Sequence, residues 1–397
     1  MRENVEEAST GHSVRPVYRD TNLQIVFGVT LMAVLGVSSV TPAFPKIVNE
    51  LGISPQAVGY LIIAFTLPGV LLTPVFGVLA DQYGRKRTLV PALMIFAIAG
   101  GACALVRDFR LLLLLRFFQG AGAAGLGAIN ITILGDLYSG TELTAAMGCN
   151  SSILSLGTAS YPAIGGALAT FGWYYPFILP LAAIPVGLAV LFSLKNPEPK
   201  NPQRFKQYLR DAWSIISTRQ VLGLFCVSTL TFIILYGSFL TYFPLLLDAS
   251  FAISPFIIGL IMSASSVATA LTSSQLGRIA AVYSERTLIT SACLLYAVAL
   301  VVIPFVPNLW LFLVPTTLFG VAQGINMPTL TALLAGLAPM QQRGALMSIN
   351  GMVLRLGQTL GPLTMGVFYA LAGPPAAFFA GVGFALIMFL LALIIIR

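Results

Sequence analysis

Two arginines stand where a charge is hardest to keep. Arg116 and Arg355 each lie inside a long apolar run. A cation at the centre of a spanning helix costs at least about 2.5–3.5 kcal/mol, so such residues pair, meet a ligand or move protons. With Gln119 and Gln358 they form a candidate path for a proton or a substrate; Gln358 projects within about 60 degrees of Arg355 on a 3.6-residue helix. For Arg355 the choice lies between a central cavity and a structural ion pair or snorkelling side chain. All 13 acidic residues fall in tails, loops or the ends of apolar runs, so neither arginine has a carboxylate at its own depth.

Other chemistries lack their residues. The only histidine, His12, sits in a polar tail, and Cys103, Cys149, Cys226 and Cys293 occupy four different apolar runs without metal spacing. No Gly-x-x-x-x-Gly-Lys-Ser/Thr segment is present to hold a nucleotide. The expectation is a chain with no metal, no cofactor and no catalytic constellation, hence not an enzyme. Polar groups able to face a cavity are Ser38, Asn130, Asn150, Gln323, Asn326 and Asn350. Phe232, Tyr236, Phe239 and Phe243 follow at i, i+4, i+7 and i+11, one face of a helix. That stripe suits an apolar substrate, a helix neighbour or lipid.

The elements that position these residues are membrane helices. Of 397 residues 57% are hydrophobic and 9% charged, with mean hydropathy +0.92, far from the roughly 25% charged residues of soluble domains. At about 20 apolar residues per crossing, the runs predict twelve spans and leave no room for a large domain outside the bilayer. An even number puts both termini on one side. Sixteen of the 21 Lys and Arg then share that side, three lie opposite, and two are Arg116 and Arg355. This asymmetry predicts both termini in the cytoplasm, and it explains the net charge of +8 without nucleic acid.

The predicted organisation is a tail at 1–22, a six-helix bundle at 23–195, a linker at 196–219 and a second bundle at 220–397. Within the linker, Phe205 to Ile216 reads as a short surface helix. A shift of 200 residues superposes Ile53-Ser54-Pro55 and Gly59 on Ile253-Ser254-Pro255 and Gly259. It also superposes Asn150, Gly157, Pro162 and Gly166 on Asn350, Gly357, Pro362 and Gly366. Repeats running in the same sense describe two bundles related by a pseudo-two-fold axis along the membrane normal, with the substrate between them.

Local motifs give the pattern a family. The run from Gly77 through Asp81 and Gly84-Arg85-Lys86-Arg87 to Leu89 resembles the loop between the second and third helices of the major facilitator superfamily. Only Gln82 departs from its usual pattern. Gly77 is read as allowing close helix contact and Gly84 as allowing a tight turn. Asp81 is read as facing the positive end of a neighbouring helix. Leu115-Arg116-Phe117-Phe118-Gln119-Gly120 and Gly157-Thr158-Ala159-Ser160-Tyr161-Pro162-Ala163-Ile164-Gly165-Gly166 resemble the fourth- and fifth-helix signatures of the bacterial twelve-span drug:proton antiporters. Tyr161 stands where that family usually has glycine.

The resemblance implies an all-α membrane protein with twelve helices in two bundles. It implies an efflux transporter, coupled to protons, that exports small amphipathic compounds by alternating access as a monomer. Its place would be a bacterial or archaeal cytoplasmic membrane. Asp81, Arg85 and Asp136 would form a gating latch, and Gly157, Pro162, Gly165 and Gly166 the antiporter packing motif. Because no carboxylate lies mid-span, the cavity is expected to favour neutral, zwitterionic or anionic amphiphiles over dications. The alternatives are a facilitator or importer of a small neutral or anionic metabolite, and a membrane sensor that transports nothing.

Overall fold

A computed structural model describes residues 17–195, 218–337 and 343–396. His12 and the predicted surface helix of the linker lie outside the described residues. Among the described residues twelve helical rods follow one another: α1 (Thr21–Ser38, resumed as Phe44–Leu51), α2 (Tyr60–Tyr83), α3 (Arg85–Cys103), α4 (Phe109–Leu137), α5 (Gly140–Phe171) and α6 (Ala183–Ser193, entered through Tyr175–Ala182) in the first half. The second half holds α7 (Arg219–Phe251), α8 (Pro255–Ala280), α9 (Glu285–Val302), α10 (Leu313–Leu337), α11 (Arg343–Ala372) and α12 (Pro374–Ile395).

Ten of these rods are long and apolar enough to cross a membrane. The other two, α5 and α11, are 32 and 30 residues long. They are the pair that carries Asn150, Gly157 and Pro162 and their shifted counterparts, and both face the opposite half.

Polar residues at the starts of the helices explain where several begin. Asp20 accepts from the Asn22 N–H, Asp108 from Leu111 and Thr218 from Val221, satisfying end donors that have no partner within the helix. Gly84 separates α2 from α3 with φ +98°, a conformation that a side chain would strain. Two rods are irregular inside. α1 stops at Ser38 ahead of Pro42, and the Val40 N–H turns to Val37 rather than to Gly36, leaving the Gly36 carbonyl free. In α7, residues Ile234–Tyr242 wind as a π-helix.

The repeat in sequence is a repeat in space. Gly120 of α4 lies against the Phe65 carbonyl of α2, and Gly320 of α10 lies against the Ser265 carbonyl of α8. The halves meet through α5 with α8 and α2 with α11. These contacts gather toward the end of the molecule that holds Lys46 and Asp108, called here the far end. At the basic end, marked by Arg85–Arg87, the halves part. There Thr144, Ala145, Ser151 and Ser152 of α5 and Gln275, Gly277 and Arg278 of α8 are exposed.

A candidate transport cleft and its two ends

Arg116 is sealed inside the first half at 1% exposure. Its Nη1 donates to the freed Gly36 carbonyl at 2.7 Å and to Gln119 Oε1 at 2.8 Å, and its Nε donates to the Leu61 carbonyl at 3.2 Å. The guanidinium carbon lies 4.4 Å from the centre of the Phe65 ring and 5.9 Å from that of Phe177. Carbonyl dipoles and ring faces thus replace a counter-ion, and the side chain joins α1, α2 and α4. The Gln119 Nε2 is buried without a partner.

Arg355 has a different setting. It is half-buried, its Nη1 donates to Gln358 Oε1 at 3.1 Å, and its stem rests on Gly69 of α2, across the divide between halves. One turn toward the far end, Thr359 meets Thr66 of α2, hydroxyl to hydroxyl at 2.9 Å. Beyond that, Gly59 packs on Pro362. Gly69 and Arg355 are therefore the last of these cross-half contacts before the cleft.

The aromatic stripe is divided by the π-helix. Phe232 stacks on Tyr236 with ring centres 5.8 Å apart, and the Tyr236 hydroxyl is within electrostatic reach of Arg355. Phe239 instead stacks on Phe319 at 4.5 Å and on Phe243 at 5.1 Å, inside the second half. The single face expected for Tyr236 and Phe239 does not form, because a π-helix turns less per residue than an α-helix and separates positions three apart.

Most of the amides expected in the cleft are also inside the halves. Asn130 Nδ2 donates to Thr30, and Thr30 donates to Asn150 Oδ1. In the second half, Asn326 Nδ2 donates to Thr231 at 2.8 Å. Asn350 is buried with its Oδ1 unpartnered, as are Asn130 Oδ1 and Asn326 Oδ1. Gln323 accepts from the Tyr296 hydroxyl. Amides in apolar surroundings are stabilised by finding one another, which draws them away from an open surface. Ser38, at the end of α1, is half-buried. A groove of about 600 Å³ between α8 and α10, lined by Leu260, Val267 and Leu313, contains none of these residues.

At the basic end, Arg85 donates through Nε to Asp136 Oδ2 at 2.9 Å and through Nη1 to Asp81. The trio thus assembles, yet all three residues belong to the first half. Gly77 differs from its expected role: a Cβ placed there would meet nothing within 4 Å, since this end of the molecule stands open. Nearby, the Tyr138 hydroxyl donates to Asp20 and ties α4 to the start of α1. Burial and that hydrogen bond push the phenol well above its usual range.

The fifth-helix motif forms part of the far-end seal. Gly165 admits the Ser39 carbonyl of α1, and Gly166 admits the Pro255 carbonyl of α8. Gly259 in turn faces the Pro162 carbonyl, while Gly157 is closed in by Leu31 and Val34. Reasoning from sequence missed Thr66, Thr359 and Gly69. It also missed that the glycine of each repeat meets the proline of the other, Gly59 with Pro362 and Gly259 with Pro162. The 200-residue shift already held both pairs; matching each across the repeats would have found the seal.

An all-helical chain of two repeated halves, joined at one end and parted at the other, is a multi-pass membrane transporter. The family model described as the Major Facilitator Superfamily matches residues 26–250 and 227–397, and the chain belongs to that family. It is 25% identical to Multidrug resistance protein 1 of Bacillus subtilis over 355 residues, 88% of this chain and 90% of the relative. With Multidrug resistance protein 2 of the same organism it shares 26% identity, over 86% of each chain. Among solved structures, the nucleoside transporter NupG superposes with TM-score 0.77 at 13% identity, covering 95% of this chain and 99% of that one. A bacterial homolog of the human lysosomal transporter Spinster gives 0.78 at 16% identity, covering 96% and 97%.

Proposed function

We propose that the chain is a secondary active exporter of small amphipathic compounds, driven by the proton gradient across a bacterial or archaeal cytoplasmic membrane. The observation that carries the reading is the cleft, which ends at Arg355 and Gly69, is sealed on the far side and is open on the basic side. With the basic end in the cytoplasm, this is the inward-facing state of a transporter whose bundles, 23–195 and 220–397, rock about a midplane site. The relatives named for multidrug resistance support the direction. Asp81, with its side chain 39% exposed, remains available to the positive end of a helix from the second half once the basic end closes.

A second reading, a facilitator of a small neutral or anionic metabolite, is favoured by the lack of a mid-span carboxylate to carry a proton. Proteoliposome transport with and without an imposed pH gradient separates the two. Uphill movement that collapses with the gradient supports the exporter; equilibration indifferent to it supports the facilitator. Sidedness is checked by cysteines placed at 86 and 108. Labelling from outside should reach 108 alone, and the reverse pattern overturns the topology.

A further inference from the structure

We infer that the apex of the cleft is a subsite for the anionic head of an aromatic amphiphile, with Arg355 and Gln358 holding the anion and Phe232 and Tyr236 flanking the ring. This deepens the exporter reading and rests on it for the direction of transport alone.

Most donors of Arg355 have no partner among the described residues. A guanidinium carries five N–H groups in a planar fork. Arg355 commits one nitrogen to Gln358, and the only ion pairs among the described residues belong to Arg85. The contrast with Arg116 decides the point. That side chain is satisfied by two backbone carbonyls, one amide oxygen and two ring faces, and it is closed off from the cleft. Arg355 has none of those carbonyls and stands, half-buried, at the apex of an open cleft. An arginine kept in an apolar span with its fork largely free is suited to bidentate capture of a planar oxyanion.

The surroundings fix the head and select the tail. Gln358 is 7% exposed and holds one edge of the fork. Gly69 gives the arginine stem a flat floor, since a Cβ there would come within 3.0 Å of Arg355 Cδ. Phe232, which packs on Gly357 two positions along α11, stacks on Tyr236 with rings tilted by only 21°. Phe232 is 8% exposed and Tyr236 half-buried, so Tyr236 offers the outer face to a flat apolar ring. The Tyr236 hydroxyl lies within electrostatic reach of the Arg355 guanidinium. A permanent cation would meet an uncompensated positive charge at the same place.

The test measures binding of 2-naphthoate and of its neutral isostere 2-naphthamide to the purified full-length transporter in nanodiscs of phosphatidylcholine. Naphthoate should bind tighter than naphthamide, and Arg355→Gln should cut that preference at least tenfold while thermal melting shows the variant folded. Arg355→Lys, which keeps the charge but not the fork, should fall between. Tyr236→Leu should weaken both probes. If Arg355→Gln does not fold, Gln358→Leu supplies the same comparison, with a loss of preference again expected. A preference unchanged in these variants overturns the subsite. So does full competition by phosphatidylglycerol discs, which would give the anion site to a lipid headgroup. Gradient-driven transport of a neutral amphiphile is measured in parallel. If it persists while the naphthoate preference fails, only the subsite is lost and the exporter stands.

Discussion

The two seams joining the halves begin alike and end differently. In the α5–α8 seam, Gly166 receives the Pro255 carbonyl and Gly259 receives the Pro162 carbonyl, backbone laid against backbone. The α2–α11 seam starts from the matching Gly59–Pro362 contact, then runs inward through the Thr66–Thr359 hydrogen bond to Arg355 on Gly69. The shifted positions on the other side are Ser266, Ala159, Ser155 and Thr269. One seam is thus a plain close-packed contact that a change of state must open or keep whole. The other carries polar groups from the far-end seal to the apex of the cleft, so it alone can register what is bound there.

The largest effect should come from breaking the plain seam. Gly259→Val places a side chain on the Pro162 carbonyl, and overpacking of that kind costs about 1–3 kcal/mol or more. The far end should open, raising the outward-facing population by up to about 150-fold. Spin labels at the exposed positions 50 and 250 would report a longer distance; an unchanged distance would show that this seam does not gate. Next in size is the basic end. Asp81→Asn weakens the tie to Arg85 in both states and removes a carboxylate that meets the second half only when that end is closed, shifting the population inward by about 5–150-fold for a coupling of about 1–3 kcal/mol. Labels across the basic end that do not move would reduce the trio to a tie within one half.

A smaller change tests the polar seam. Thr66→Val removes one buried hydrogen bond worth about 0.5–1.5 kcal/mol, so the far-end distance distribution should broaden toward the open state by a factor of a few. Loss of ligand-dependent closure in the same variant would sharpen the claim that this seam senses the cleft. Smallest is the tie at Tyr138, which lies on neither seam. A phenol raised above its unfolded value of about 10 contributes stability fully below that pH and loses it as pH rises through the higher folded value. Tyr138→Phe should therefore lower the melting temperature slightly at pH 7 with no change of gate distances. An ultraviolet titration that finds a phenol of ordinary acidity at this position would contradict the buried tie.

The helical layout was legible because apolar runs and one constant shift carry it. Asp81 and Arg85 were legible too, since Gly84 and the charges around it sit in one short stretch, whereas Asp136, 51 residues beyond Arg85, joined them only through the family resemblance. What could not be read were contacts that depend on winding and on distant partners. Phe239 was assigned to the face of Tyr236 by a period that the π-helix of α7 does not keep. Residue type alone puts Asn130 and Asn150 among the cleft candidates, but Thr30, 100 and 120 residues away in sequence, holds both. Gly77, read as a close helix contact, has nothing within 4 Å of a Cβ built on it.

The paired Gly59–Pro362 and Gly259–Pro162 contacts have the form of an isologous dimer interface, in which each patch meets the other's copy. Two separate identical subunits meeting this way would have to carry every substitution twice. A guanidinium beside the axis would then face its own twin, and like charges so placed repel. Joining both copies in one chain lifts that constraint. It permits a single positive group, Arg355 opposite Ser155, in a frame otherwise obliged to be even-handed, and so gives a two-fold scaffold one preferred side on which to hold a molecule that has no symmetry of its own.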